Sequence, residues 1–133
     1  MGQLAAKQND MIVAVDIHII LVPSPGGPVP TPIPLPFNGM INGGLSTNVK
    51  IMGMFAATQG STADNMPPHI CPPPATFQVP PTNKGTIMMG SMTVKINNKM
   101  AARMGDMAQT CQDPAPNMTA KVIVPFSTVM IGG

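Results

Sequence analysis

Apolar and polar residues alternate with a period of two along much of this chain, and the alternation is clearest between Gly85 and Cys111. Thr86-Ile87-Met88-Met89 reads as a strand closed by Gly90. Met92 to Ile96 reads as a second strand, with Met92, Val94 and Ile96 on one face and Thr93 and Lys95 on the other. Asn97-Asn98 supplies a tight hairpin turn, because Asn tolerates positive φ. Lys99 to Met104 then reads as the return strand, stopped by Gly105-Asp106, and its paired alanines imply that another backbone lies close.

The same period appears from Met11 to Val22. There it sets Ala14, Asp16, His18 and Ile20 on one face and Val13, Val15, Ile17, Ile19 and Leu21 on the other. The second set predicts the buried face, with the polar pair on the opposite side. Residues 1–10 read as a lead-in or a short edge segment. Pro23 to Pro36 contains seven prolines in 14 residues, at every second position from Pro28. That spacing excludes a helix and predicts an extended, polyproline-like strap laid along the domain by Val29, Ile33, Leu35 and Phe37. Asn65 to Pro81 and Gln112 to Ala120, the latter with Pro114 and Pro116, read as loops. Lys121 to Val124 and Thr128 to Ile131 read as closing strands.

A weak repeat underlies the pattern. Ser46, Val49, Lys50, Ile51, Ala56, Ala57, Gly60 and Ala63 recur 45 positions later, from Ser91 to Ala108. Ser127 to Gly132 echoes Gly85 to Gly90. The fold expected is all-β, a small conical single domain over residues 1–133, built of short strands and hairpins with long proline-rich loops.

Composition sharpens this. With no Trp or Tyr, four Phe and 14 Met, the core must come from Ile, Val, Ala and Met. Charged residues make up only 9% and the net charge is +2, with no basic cluster, which argues against nucleic-acid binding and for a surface that faces another protein. No apolar run reaches the length of a membrane span, and no signal-peptide pattern opens the sequence, so synthesis in the cytosol without general export is expected.

The chemistry-bearing residues are few. His18, His69, Cys71 and Cys111 are all the histidines and cysteines of the chain, and thiolate and imidazole together suit a structural zinc. Other fates compete: a Cys71–Cys111 disulfide, buried free thiols, or histidines satisfied in the core. Asp16 and His18 share a strand face and admit a base-and-orienter reading. No nucleophile motif joins them, the five acids are all Asp, and catalysis is not expected. Asp106 is expected to hold the turn at Gly105 by pairing with Arg103 or backbone.

The string Gly90-Ser91, Val94, Ile96-Asn97, Lys99, Ala101-Ala102-Arg103, Gly105-Asp106 resembles the signature of the PAAR-repeat family, with Met100 where that family commonly has Pro. The resemblance covers Met11 to the C-terminus and implies a spike-tip protein of a contractile injection system, either type VI secretion or a phage-tail-like particle. It implies a trimeric VgrG-like spike protein as partner, one tip per trimer, with effector cargo and transient contact with a target membrane, after which the tip is extracellular or inside the target cell. It further implies a zinc near the tip held by histidines and a cysteine. With only two histidines here, Cys71 is expected to take the missing place. The alternative is a zinc-binding adaptor that links an effector to a spike carrier.

Overall fold

The structure, a computed structural model, describes residues 2–113 and 115–132. The expectation for Pro114 lies outside them. Among the described residues there is no helix. The strands are β1 (Gln3–Leu4), β2 (Met11–Val22), β3 (Val29–Gly43), β4 (Lys50–Ile51), β5 (Met54–Phe55), β6 (Thr62–Asn65), β7 (Thr76–Phe77), β8 (Lys84–Ile87), β9 (Lys95–Ile96), β10 (Lys99–Met100), β11 (Met107–Thr110), β12 (Asn117–Ile123) and β13 (Met130–Ile131).

One end is a hub of three small antiparallel hairpins, β4–β5, β9–β10 and β1–β13. Asn97 and Asn98 turn the second with φ of 54° and 66°, and Met52 and Gly53 turn the first with φ of 55° and 79°. The third hairpin has no such turn, because its strands come from opposite ends of the sequence. The alanine after each return strand joins a closed ring: Ala6 N–H donates to Ala102 O at 2.9 Å, Ala102 N–H to Ala57 O at 3.1 Å, and Ala57 N–H to Ala6 O at 3.1 Å. A second ring runs outside it, from Gln8 N–H to Phe55 O, Gln59 N–H to Met100 O and Met104 N–H to Leu4 O. The hub therefore has pseudo-threefold symmetry, and only a methyl side chain fits so near its axis. Ala5, Ala6, Ala56, Ala57, Ala101 and Ala102 are all buried.

The repeat seen in the sequence is thus threefold, and its third copy corrects two expectations. Ser127 to Ile131 matches Ser91 to Ile96, not the strand before it: Ala5 N–H donates to Val129 O as Ala101 N–H does to Val94 O and Ala56 N–H to Val49 O. Residues 2–10 complete that copy, with Gln3–Leu4 as the short edge strand expected as an alternative to a lead-in. The expected strand Met92–Ile96 is reduced to Lys95–Ile96, and of its three expected inward residues only Ile96 is buried, while Met92 and Val94 are exposed.

From the hub the chain makes three excursions. It leaves after Asp10, Ser61 and Asp106, and returns at Ile41, Ile87 and Val122, where each returning N–H donates to the carbonyl of the residue of departure. The three pairs, β2–β3, β6–β8 and β11–β12, close on one another in the order β12-β11-β8-β6-β3-β2, with β12 also paired to β2. The result is a closed six-stranded antiparallel barrel, so no strand edge is left open there. Its bore is narrow, and Ile12, Phe37, Ile41, Ala63, Ile87, Ala108, Ala120 and Val122 fill it. Phe37 is the one large ring among them. A Cβ on Gly39 would stand 2.6 Å from Phe37 Cε1 and 2.9 Å from Ala63 Cβ, so the glycine makes room for the ring. The expected loop Gln112–Ala120 is shortened, because β12 begins at Asn117.

Beyond the barrel only β2 and β3 continue, with β7 alongside at Ile20 and Leu21, so the strand count falls from six to three along the axis. The proline strap is the strand β3 itself, paired with β2 without a break from Met11↔Met40 to Val22↔Val29. Alternate residues of β3 suffice to donate to β2, and prolines occupy the others, so the missing N–H groups lie on the open edge. The faces of β2 are inverted relative to the sequence expectation. Val15 is 60% and Ile17 37% exposed, beside the exposed Pro36 and Pro34 opposite them, whereas Asp16 and His18 are buried at 0% and 2%. The polar pair faces inward because it belongs to a site.

Candidate metal centre

Asp16 and His18, two residues apart on β2, point the same way into the mouth of the barrel. His69, on the loop after β6, and Cys111, directly after β11, meet them there. One donor atom from each of the four lies within 4.8 Å of the others. Asp16 Oδ2 is 3.2 Å from His69 Nε2 and 3.6 Å from Cys111 Sγ, and Cys111 Sγ is 3.7 Å from His18 Nε2. Four donors held tetrahedrally at about 2.0–2.3 Å from an ion stand about 3.3–3.7 Å apart, so these three edges already have the size of a first-row metal cage. The longest separation closes by about 1 Å when an ion is gripped. Asp and Cys thiolate supply two negative charges that balance a divalent ion inside a buried site.

The surroundings hold this cluster in place. The other carboxylate oxygen of Asp16 accepts from Thr110 Oγ1–H at 2.5 Å and from Asn117 Nδ2–H at 3.0 Å. These two residues come from the β11–β12 excursion and His69 from the β6–β8 excursion, so one buried carboxylate on β2 gathers all three. His69 is fixed by its backbone N–H, which donates to Asn83 Oδ1 at 2.8 Å. Its Nδ1 lies 3.3 Å from the Asn65 amide nitrogen, whose oxygen accepts from Asn38 N–H at 2.9 Å. Without an ion His69 therefore accepts from Asn65 at Nδ1 and donates through Nε2–H to Asp16. Phe37 supports His69 from the barrel side, at a centroid distance of 6.1 Å, and Phe77 covers His18 at 5.7 Å. Burial lowers the pKa of His18, helped by repulsion from His69 and opposed by Asp16, Asp113 and the Cys111 backbone. Burial first, and then the Asp16 carboxylate, raises the Cys111 thiol, against the pull of Asn83 and Thr82. A neutral imidazole is ready to ligate, and the thiol yields its proton only to a cation bound beside it.

The structure brings together three of the four residues expected from sequence, His18, His69 and Cys111. Cys71 stands apart, half-buried in its proline-rich loop with Sγ 3.9 Å from Pro72 O, and neither cysteine is in a disulfide. Asp16 occupies the fourth corner. Its place on the His18 face of the strand is legible in the sequence, but thiolate and imidazole chemistry alone does not single out this carboxylate as a fourth donor.

A cleft of about 340 Å³ opens beside the cluster, with His18 and Cys111 in its wall. Within the described residues two buried side-chain polar atoms lack a hydrogen-bond partner, His18 Nδ1 and Asp113 Oδ2.

The family model described as PAAR motif matches residues 22–107 and, in a second overlapping alignment, residues 77–133. The chain belongs to the PAAR-motif family. Both alignments include the Gly90–Asp106 hairpin that carries the resemblance in sequence. No curated protein matches the chain.

Proposed function

We propose that this protein is a structural spike tip of a contractile injection system, seated by its hub on the end of a trimeric spike. The observation that carries the reading is the closed Ala6–Ala102–Ala57 ring, which gives one chain three nearly equivalent faces to offer a threefold partner. Met52, Met92, Val94, Val129 and Met130 are exposed on or beside the hub hairpins, an apolar and adaptable surface of the kind that docking covers. Family membership supports the same assignment.

Zinc is the ion the centre would take. Two imidazoles, one thiolate and one carboxylate in a closed tetrahedron suit it, and all four positions are filled by protein, as in structural rather than catalytic sites. Bound there, zinc cross-links β2, the loop after β6 and the end of β11, so the three excursions are locked where the barrel ends. The work of the protein is then mechanical. The β2–β3 ribbon extends four residues of β2 past His18, about 13 Å at strand rise, and forms the leading end ahead of the metal. The protein is made in the cytosol and leaves it on the particle, and the ribbon meets the target membrane when the machine fires.

Co-expression with a trimeric spike protein and native mass spectrometry tests this. One tip per three spike chains is expected, with one zinc per tip by elemental analysis. Met92→Glu together with Met130→Glu is expected to abolish the complex while the zinc content stays. A tip that never associates with a spike trimer, or does so regardless of the hub substitutions, overturns the docking reading. A chain that purifies without metal and is unmoved by added zinc overturns the metal reading.

A further inference from the structure

The metal cluster leaves one of its own atoms unexplained. Liganded through Nε2, a neutral His18 carries its proton on Nδ1, and that N–H is a donor that a buried site must satisfy. Metal-bound imidazoles almost always give this second N–H to a carboxylate, a carbonyl or a water, which fixes the ring and its tautomer. His69 Nδ1 has Asn65 beside it. His18 Nδ1 has no partner, and the Cys111 carbonyl, although close enough to influence the ring, is outside hydrogen-bonding geometry.

A complementary atom belongs to Asp113. Asp113 is 8% exposed, and its Oδ2 is the other unpartnered buried atom. One orphan is a donor and the other an acceptor, and both residues line the same 340 Å³ space. Asp113 is also held in position independently of any ion: its backbone N–H donates to Ile17 O at 2.9 Å, directly beside His18 on β2.

We propose that Asp113 is the outer partner of His18, its carboxylate accepting from the Nδ1–H of the metal-bound imidazole and so holding Nε2 on the metal. This rests on the metal reading given above. Asp113 touches no ion; it is a positioning residue, two residues beyond the ligand Cys111, so that one short segment supplies both a ligand and the support for another.

The full chain with Asp113→Ala and Asp113→Asn tests the assignment. Zinc affinity is read by competition with a chromogenic chelator, and the state of His18 by long-range proton–nitrogen spectra of the zinc-loaded ring. Asp113→Ala is expected to weaken zinc about 10- to 100-fold, as loss of an outer carboxylate does, with the melting temperature of the zinc-free protein unchanged. Asp113→Asn keeps an acceptor oxygen and is expected to stay within about threefold of the parent. The slowly exchanging Nδ1–H signal of His18 is expected in the parent and in Asp113→Asn, and absent from Asp113→Ala. An Asp113→Ala protein that binds zinc within twofold of the parent overturns the inference, and so does one whose zinc-free form is destabilised as much as its affinity falls, which marks a merely structural residue. If the parent itself takes up no zinc, the metal reading fails first and is recognised as such.

Discussion

Asp16 Oδ2 lies 3.2 Å from His69 Nε2, a contact between two fully buried side chains 53 residues apart in sequence. Around that contact the three excursions of the chain are gathered. It is also the place where the carboxylate has two separable roles, as acceptor for Thr110 and Asn117 and as a negative charge facing the candidate ligand cluster.

Asp16→Asn separates those roles. The amide keeps the size and one acceptor oxygen but loses the charge, so zinc affinity is expected to fall about 100-fold while the zinc-free protein melts within a few degrees of the parent. Asp16→Ala instead strands Thr110 and Asn117 and leaves a void, and costs about 3 kcal/mol or more even without metal. Chelator titration and thermal melts with and without zinc read both effects. Equal affinities in parent and Asp16→Asn would remove Asp16 from the ligand set.

The two cysteines are expected to behave oppositely. Cys111→Ser removes the thiolate corner, so metal content at purification drops below half and chelation no longer lowers the melting temperature. Cys71→Ser leaves metal content and melting unchanged, because Cys71 is outside the cluster. In the parent, chelation is expected to lower melting by about 10 °C or more, since binding that depends on the folded state is folding energy. A cobalt-loaded sample gives a second readout, as its thiolate absorption survives Cys71→Ser and vanishes with Cys111→Ser.

Asn65→Asp is expected to tighten zinc by roughly tenfold. Ligation through Nε2 moves the His69 proton to Nδ1, where the Asn65 amide presents a second donor at 3.3 Å. A carboxylate there accepts that proton's bond while still accepting from Asn38 N–H. Unchanged or weaker binding would mean that His69 ligates in another way.

Much of this architecture could be read from the chain alone. The Asn97-Asn98 turn, the Arg103–Asp106 pairing, the all-β fold and three of the four clustered donors follow from residue type and spacing, and the structure has them all. What could not be read depends on closure. Alternation on β2 separates two faces but does not say which is inside. Hydrophobicity favours Val15 and Ile17 as the inner set, yet Asp16 and His18 face inward, into the candidate cluster. The third hairpin escaped for a similar reason: its halves are at opposite ends, and a repeat search along a line does not wrap around.

Gly39→Ala is expected to destabilise the barrel by about 1–3 kcal/mol, because the new methyl has nowhere to go between Phe37 and Ala63. Denaturant unfolding reads this as a lower midpoint with an unchanged slope. Phe37→Leu in the same background should recover part of the loss, as it clears the space the methyl needs. Failure of that rescue would place the strain elsewhere.

A circular permutant tests the threefold hub. Joining residue 133 to residue 1 puts four residues between Ile131 and Gln3, where the other two hairpins have two, and new ends can be opened at Asn97-Asn98. The permutant is expected to fold and to melt within about 10 °C of the parent, because every ladder is retained and the cut falls in an exposed turn. A permutant that stays unfolded would show that the open third hairpin is not equivalent to its siblings.

That open hairpin also sets the order of events during synthesis. The inner partner of Gln3 is Ile131, so one half of this hairpin waits during synthesis until the chain has grown as far as Ile131. Until then the nascent chain can assemble at most two of its three feet, and a product broken off early never acquires the third. Only a chain extended through Ile131 carries all three hairpins, and the geometry thereby checks that both halves of the open one are present before the hub is whole.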